Sequence, residues 1–169
     1  LKPGPGVGGH CLAIDPYYVI SKTPETARLI STAREINCSM PEFIVSKVVQ
    51  LVNDIKTPKI AVFGITYKEN IDDLRESPAI EIVKQLKEKG FNVNIYDPHV
   101  KMEFEDLANI DTTVTDSDMI LILVAHDEFT YIDYKKLSKN MRRPFIFDVK
   151  KIINKDEWDI PIKYLGETF

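Results

Sequence analysis

Cysteine is scarce in this chain: Cys11 and Cys38 are the only two in 169 residues. Two thiols make neither a disulfide framework nor a metal-ligand pattern, which excludes a cystine-stapled secreted module and a structural zinc site. Positive charge is short as well. The net charge is −4, and the basic residues pair only briefly, at Arg142-Arg143 and Lys150-Lys151. The electrostatic footprint of a nucleic-acid binder is therefore missing. Long apolar runs are absent too. A run such as Met119–Ala125 falls far short of the roughly 20 residues that a membrane-spanning helix needs. No secretory leader is visible, a charged leader would have to precede residue 1, and reducing, cytosolic conditions are the expectation. Repeats and low-complexity tracts are lacking. What remains is an apolar fraction of 44% and a charged fraction of 28%, the balance of a soluble globular chain of one domain or one domain with an appendage.

The order of signals along the chain divides it in two. Residues 1–20 read as a loop, because Pro16 interrupts any helix begun at Cys11. Thr23-Pro24-Glu25-Thr26 then looks like a helix start, and Ala27, Leu29, Ile30, Ala33 and Ile36 continue the helix to a stop near Asn37. A second helix is predicted from Ser39, where Ser39 and Glu42 fit a capping box and Pro41 suits the first turn. Its residues Ile44, Val48, Leu51 and Ile55 share one face, widened by Phe43, Val45, Val49 and Val52. That stripe needs a partner surface, either its own domain or, the favoured expectation, a second subunit. Past Lys56-Thr57-Pro58 the grammar changes. "KIAVFG", "FNVNIYDP", "MILILVA", "PFIFDV" and "IKYLG" read as strands. They alternate with a helix opened by Ser77-Pro78 and closed by Gly90, and with a short helix over residues 133–140. A continuous apolar strand such as "MILILVA" is expected in a parallel sheet covered on both faces. The fold class is therefore α/β: a helical segment over residues 1–56, then a doubly wound, Rossmann-like parallel-sheet domain over 57–169.

"PGPGVGGHCLAID", residues 3–15, is the stretch that points to chemistry. Gly4, Gly6 and Gly9 match G-x-G-x-x-G, but a dinucleotide fingerprint needs a strand before it and a helix at its end. The strand-turn-helix of residues 59–89 has only Gly64 where three glycines are required. Lys68 and Arg75 are the charged donors on its long connection, or else solvated loop charges. Cys11 reads either as a nucleophile in a glycine-rich loop, with the Asp15 carboxylate four residues on, or as an inert buried thiol. Cys38, placed between two helices, reads as inert; His10 reads as a base or, the favoured expectation, a loop histidine, and His99 and His126, both near strand ends, are similarly uncommitted.

"PGPGVGGHCLAIDPYYV" followed by "ARLISTAREIN", and "FGITYKENIDDLRESPAIEIV" further on, closely resemble the UDP-glucose/GDP-mannose dehydrogenase family. Both long motifs occur in the family's order, and the likeness runs from Leu1 to about Ile153. The "PGVGGHC" form looks most like the branch that oxidises UDP-N-acetylhexosamines, the manno epimer first and the gluco epimer second, whereas the glucose enzymes usually carry a "GGSC" loop. The resemblance implies an NAD-dependent 6-dehydrogenase in which Cys11 is the catalytic nucleophile and Asp15 organises the hydrolytic water. It implies that Gly8, Tyr67 and Lys68 contact the UDP-sugar and that Arg75 reaches the cofactor. "IFDVKK" aligns with an "FDxR" stretch, so Lys150 stands where the family usually has an arginine and offers a point charge instead of a planar fork. The resemblance also implies a homodimer through the helices and an NAD-binding domain that precedes residue 1. A non-catalytic nucleotide-sugar-binding or dimerisation module is the remaining alternative.

Overall fold

The computed structural model describes residues 3–168. Its first helix, α1, spans Cys11–Lys22 and contains Pro16, so the loop expected over residues 1–20 ends at His10. The proline removes one backbone bond, to the Leu12 carbonyl. Leu12 is 61% exposed, and water can replace that bond there. Thr23–Ala27 forms a turn closed by the Ala27 amide on the Thr23 carbonyl (2.9 Å). Pro24 thus belongs to a turn and does not open a helix.

The two helices expected over residues 23–55 are one. Helix α2 runs unbroken over Arg28–Leu51 with Pro41 inside it. Ser39 does not cap, because its hydroxyl donates to the Ile36 carbonyl at 2.8 Å. The bond that Pro41 forfeits would have gone to the Asn37 carbonyl. That carbonyl faces the glycine loop, 3.5 Å from where a Cβ on Gly6 would stand. Packing carries the helix through: Ile44 and Val48 are fully buried, with Val45 and Val52 nearly so. They join Ile82, Val83 and Leu86 in the chain's own core, flanked by Leu51 and Ile55. The stripe assigned to a second subunit is therefore covered by its own domain. The exposed apolar residues of α2 are Leu29, Ile30 and Ile36 in its first half and Phe43 and Val49 at the margin of the stripe, and among them Leu29, Ile36 and Phe43 are spaced by sevens.

Five parallel strands follow: β1 (Lys59–Phe63), β2 (Asn92–Tyr96), β3 (Met119–Ile122), β4 (Ile146–Asp148) and β5 (Ile162–Tyr164). Their order is β2-β1-β3-β4-β5, the doubly wound arrangement expected. Alternate residues of β1 serve two cores. Ile60 and Val62 face α2 and α3 (Pro78–Glu88), while Ala61 and Phe63 face the layer built on α4 (Ile110–Val114) and α5 (Tyr134–Ser138). Gly90 ends α3 at φ +83, a conformation that favours glycine. Ser77 precedes α3, but its hydroxyl donates to the Ile65 carbonyl at 2.7 Å and so ties the helix start to the end of β1. The chain leaves β1 first toward β2 and later returns on its other side as β3. The switch point thus lies at the C-terminal ends of β1 and β3, where open α/β sheets bind ligands. No helix among the described residues is long and apolar enough to cross a membrane.

Candidate functional site

The glycine loop lies across the switch point, and close packing leaves no room for a side chain at Gly8 or Gly9. A Cβ on Gly8 would stand 2.3 Å from the Glu76 carbonyl oxygen, and one on Gly9 would stand 2.6 Å from the Tyr67 ring. A Cβ on Gly4 would meet Lys150 Nζ at 2.8 Å, and one on Gly6 would meet the Pro78 ring at 3.1 Å. Protein atoms fill the space that a pyrophosphate would need, so Gly4, Gly6 and Gly9 are not a dinucleotide cradle. Two anchors fix the loop. The Gly9 amide donates to the Arg75 carbonyl at 3.0 Å, and the Val7 amide donates to Asn37 Oδ1 at 2.9 Å. Asn37, expected to end a helix, instead sits mid-helix and holds the loop.

This docking brings the predicted site residues to one edge of the sheet. Tyr67, Lys68 and Lys150 line one narrow cleft together with Pro5 and Gly6. Lys68 stands on the connection after β1 and Lys150 follows β4, with β3 between these two strands. Gly64 permits the approach of the neighbouring connection, because a Cβ there would lie 2.5 Å from Val124 Cβ. Asp148 shapes the turn that presents Lys150: its carboxylate accepts from the Lys150, Ile152 and Ile153 amides at 3.0, 2.7 and 2.9 Å.

Cys11 is the first residue of α1 and is exposed, as is Asp15 one turn further on, so the thiol and the carboxylate share a helix face. Cys11 Sγ stands 3.9 Å from His10 Nδ1. Arg75 is exposed, and its guanidinium forks onto Asp73, with Nη2 to Oδ2 at 2.7 Å. Its pKa is raised first by that hydrogen bond and by the Asp73 charge, with smaller contributions from Tyr67 and Cys11. Cys38 is exposed within α2 and is not a buried thiol. Its Sγ lies 3.5 Å from the Tyr17 hydroxyl and 3.7 Å from Arg34 Nη2.

Beneath the cleft is a buried polar network that residue types alone did not single out. Asp97 directly follows β2, and His126 lies beyond the end of β3. His126 is fully buried, with Nε2 3.2 Å from Asp97 Oδ2. Asp97 also accepts from the Ile65 amide at 2.8 Å and the Thr66 amide at 3.3 Å through Oδ2, and from the His99 amide at 2.9 Å through Oδ1. Burial by itself would raise the Asp97 pKa. The hydrogen bonds from His126 and from the Ile65 and His99 amides overcome burial and hold it below the ordinary carboxylate range. The available signal was position: a polar residue directly after an apolar parallel strand stands at the ligand edge of the sheet.

His99, His126 and Glu128 gather closely enough to suggest a cation site. The hydrogen bonds argue otherwise. His126 Nδ1 accepts from the Asn70 amide at 2.9 Å, so the ring proton sits on Nε2 and points at Asp97. His126 then has no lone pair to offer, and a histidine and one carboxylate are left. The fit to NAD is equally poor within this chain. The β1–α3 connection lacks the glycine fingerprint, and Arg75, the one residue of the segment expected to reach the cofactor, is exposed and held by Asp73 in a surface ion pair that a ligand can displace.

Comparison with known proteins agrees with this layout. Residues 61–155 match the UDP-glucose/GDP-mannose dehydrogenase family, UDP binding domain, and residues 1–39 match the same family's central domain. A UDP-N-acetyl-D-mannosamine dehydrogenase of Methanocaldococcus jannaschii is 44% identical over 94% of this chain and 38% of its own length. An NDP-N-acetyl-D-galactosaminuronic acid dehydrogenase of Ralstonia solanacearum is 42% identical over 83% of this chain and 35% of its own. Among solved structures, a UDP-N-acetyl-mannosamine dehydrogenase from S. aureus superposes with TM-score 0.87 at 41% identity, over 98% of this chain and 40% of that one. A UDP-D-ManNAc dehydrogenase from Pyrococcus horikoshii gives TM-score 0.88 at 33% identity, with the same coverage of 98% and 40%. This chain spans about two fifths of the length of the relatives it matches.

Proposed function

This chain belongs to the UDP-glucose/GDP-mannose dehydrogenase family, and on that premise we propose that it is the C-terminal part of an NAD-dependent UDP-N-acetyl-D-mannosamine 6-dehydrogenase. In the proposed reaction the C6 alcohol is oxidised to the aldehyde, and the Cys11 thiolate adds to its carbonyl carbon. Loss of a second hydride turns the thiohemiacetal into a thioester. Water, organised by Asp15, cleaves the C–S bond, which frees the uronate and restores the thiol. NAD, held mainly by residues outside this chain and contacted by Arg75, supplies the hydride acceptor, and two are consumed. Lys68 and Lys150 hold the pyrophosphate by charge-assisted hydrogen bonds, Tyr67 packs against the substrate, and the Gly8 backbone meets the sugar.

The observation that supports this reading most is the seating of the loop. Gly8 and Gly9 press on Glu76 and Tyr67, which places the Cys11 loop against the segment that carries Lys68. Calorimetry on this chain tests the assignment. UDP should bind, with affinity falling as salt rises, and NAD should not. A Lys68→Ala/Lys150→Ala double variant should lose at least about tenfold in UDP affinity, since hydrogen bonds to charged groups contribute ~1.5–3 kcal/mol each. UDP binding unchanged in that variant, or tight NAD binding, overturns the site.

The same reading includes a homodimer, now placed on the exposed face Leu29–Ile36–Phe43 and not on the buried stripe. Heptad spacing suits the pairing of two helices about a two-fold axis. Sedimentation should give a dimer at high micromolar concentration and a monomer for Leu29→Glu/Ile36→Glu. A monomeric wild type removes this part of the reading.

A further inference from the structure

We propose that His126 is a positioning residue for nucleotide recognition: with Asp97 it clamps both ends of the segment that carries Tyr67 and Lys68. This rests on the reading of those two residues as UDP contacts. At the front of the segment, the Ile65 and Thr66 amides donate to Asp97 Oδ2 at 2.8 and 3.3 Å. At its back, the Asn70 amide donates to His126 Nδ1 at 2.9 Å. The clamp closes through His126 Nε2–H on the same Asp97 Oδ2, at 3.2 Å. Thr66 Oγ1, 3.3 Å from His126 Nε2, donates to the Lys68 carbonyl at 2.8 Å, so the network also reaches the backbone of the residue it positions.

The direction of each bond is forced. A backbone N–H only donates, so Nδ1 is the acceptor, Nε2 carries the proton, and the Asp97 carboxylate receives it. The back anchor holds Asn70 at φ +61, in the left-handed region that Asn, among non-glycine residues, enters most readily. Asn70 has a second hold through its Oδ1, which accepts from the Asp127 amide at 3.0 Å, in the 3₁₀ turn directly after His126. The imidazole itself is fixed by packing. It lies edge-on to Phe129 at 5.1 Å and against the His99 ring at 4.6 Å. Lys68 is exposed, so the clamp acts on its backbone, together with the Tyr67 amide, which donates to the Asp73 carbonyl at 3.1 Å.

Two substitutions separate the two nitrogens. His126→Asn keeps an acceptor near the Nδ1 position for the Asn70 amide. His126→Gln keeps a donor near the Nε2 position for Asp97 but drops that acceptor. UDP affinity measured by calorimetry should fall at least about tenfold in His126→Gln, the scale of one lost buried hydrogen bond, and fall by a smaller factor in His126→Asn, which opens the bond to Asp97 but keeps the anchor on the Asn70 amide. Lys68→Ala should cost much less in the His126→Gln background than in wild type, a non-additivity that a general loss of stability does not produce. Hydrogen exchange at the Asn70 amide should be slow in wild type and His126→Asn and fast in His126→Gln. Equal affinities in the two variants, or additive effects with Lys68→Ala, overturn the clamp. If wild type does not bind UDP, the substrate reading fails, while the exchange of the Asn70 amide still decides whether His126 holds the segment.

Discussion

Cys11→Ser in the full-length protein will lower uronate formation by at least about 10³-fold, the scale on which removal of a catalytic nucleophile acts. A hydroxyl at neutral pH is a far weaker nucleophile than a thiolate, so the aldehyde forms but is not captured. The thiol is well placed for capture: it is exposed at the first residue of α1, and the loop behind it is anchored at Val7 and Gly9. The substitution removes no buried surface, so stability should be unchanged. Mass spectrometry of the products, with the count of reduced cofactor per substrate, reads the block directly. Near-normal uronate from the serine variant takes Cys11 out of the mechanism.

Gly8→Ala will be damaging too, by a smaller factor and for a reason of space. The added methyl would stand 2.3 Å from the Glu76 carbonyl oxygen and 2.9 Å from both Pro78 Cδ and Tyr67 Cβ. The first obstacle is backbone, and the loop must lift to clear it. Overpacking of this kind costs about 1–3 kcal/mol, which lowers the seated population of the loop by about 5- to 150-fold. Turnover of the full-length protein should fall by a similar factor, while UDP binding through Lys68 and Lys150 falls less. Wild-type turnover in Gly8→Ala would show that the loop works without its seat on Glu76.

The sheet was legible because a parallel sheet covered on both faces writes itself as continuous apolar runs, and "MILILVA" could hardly be anything else. The helices were misread where local signals conflict with packing. Ser39, Pro41 and Glu42 carry every mark of a helix start, yet the burial of Ile44 and Val48 keeps α2 continuous through them. Pro16 misled in the same way. The glycines were read as freedom for a ligand or a reactive thiol to approach, whereas the structure packs them against Tyr67, Glu76, Pro78 and Lys150. That meaning depends on residues some sixty or more positions away, and periodicity cannot reach them. The His126–Asp97 pair was illegible on the same ground. Its partners Ile65, Thr66 and Asn70 meet it only once β1, β2 and β3 lie side by side.

Helix α2 has a mechanical consequence. Its 24 residues make a rod of ~36 Å. The C-terminal half is embedded in the sheet's core, and at mid-length Asn37 grips the glycine loop. A rod without a break cannot let those two attachments swing independently. If a further domain closes over the substrate, loop and sheet will travel as one stiff half of the jaw. The rod ends on this side at the turn of Thr23–Ala27, where α1 meets it.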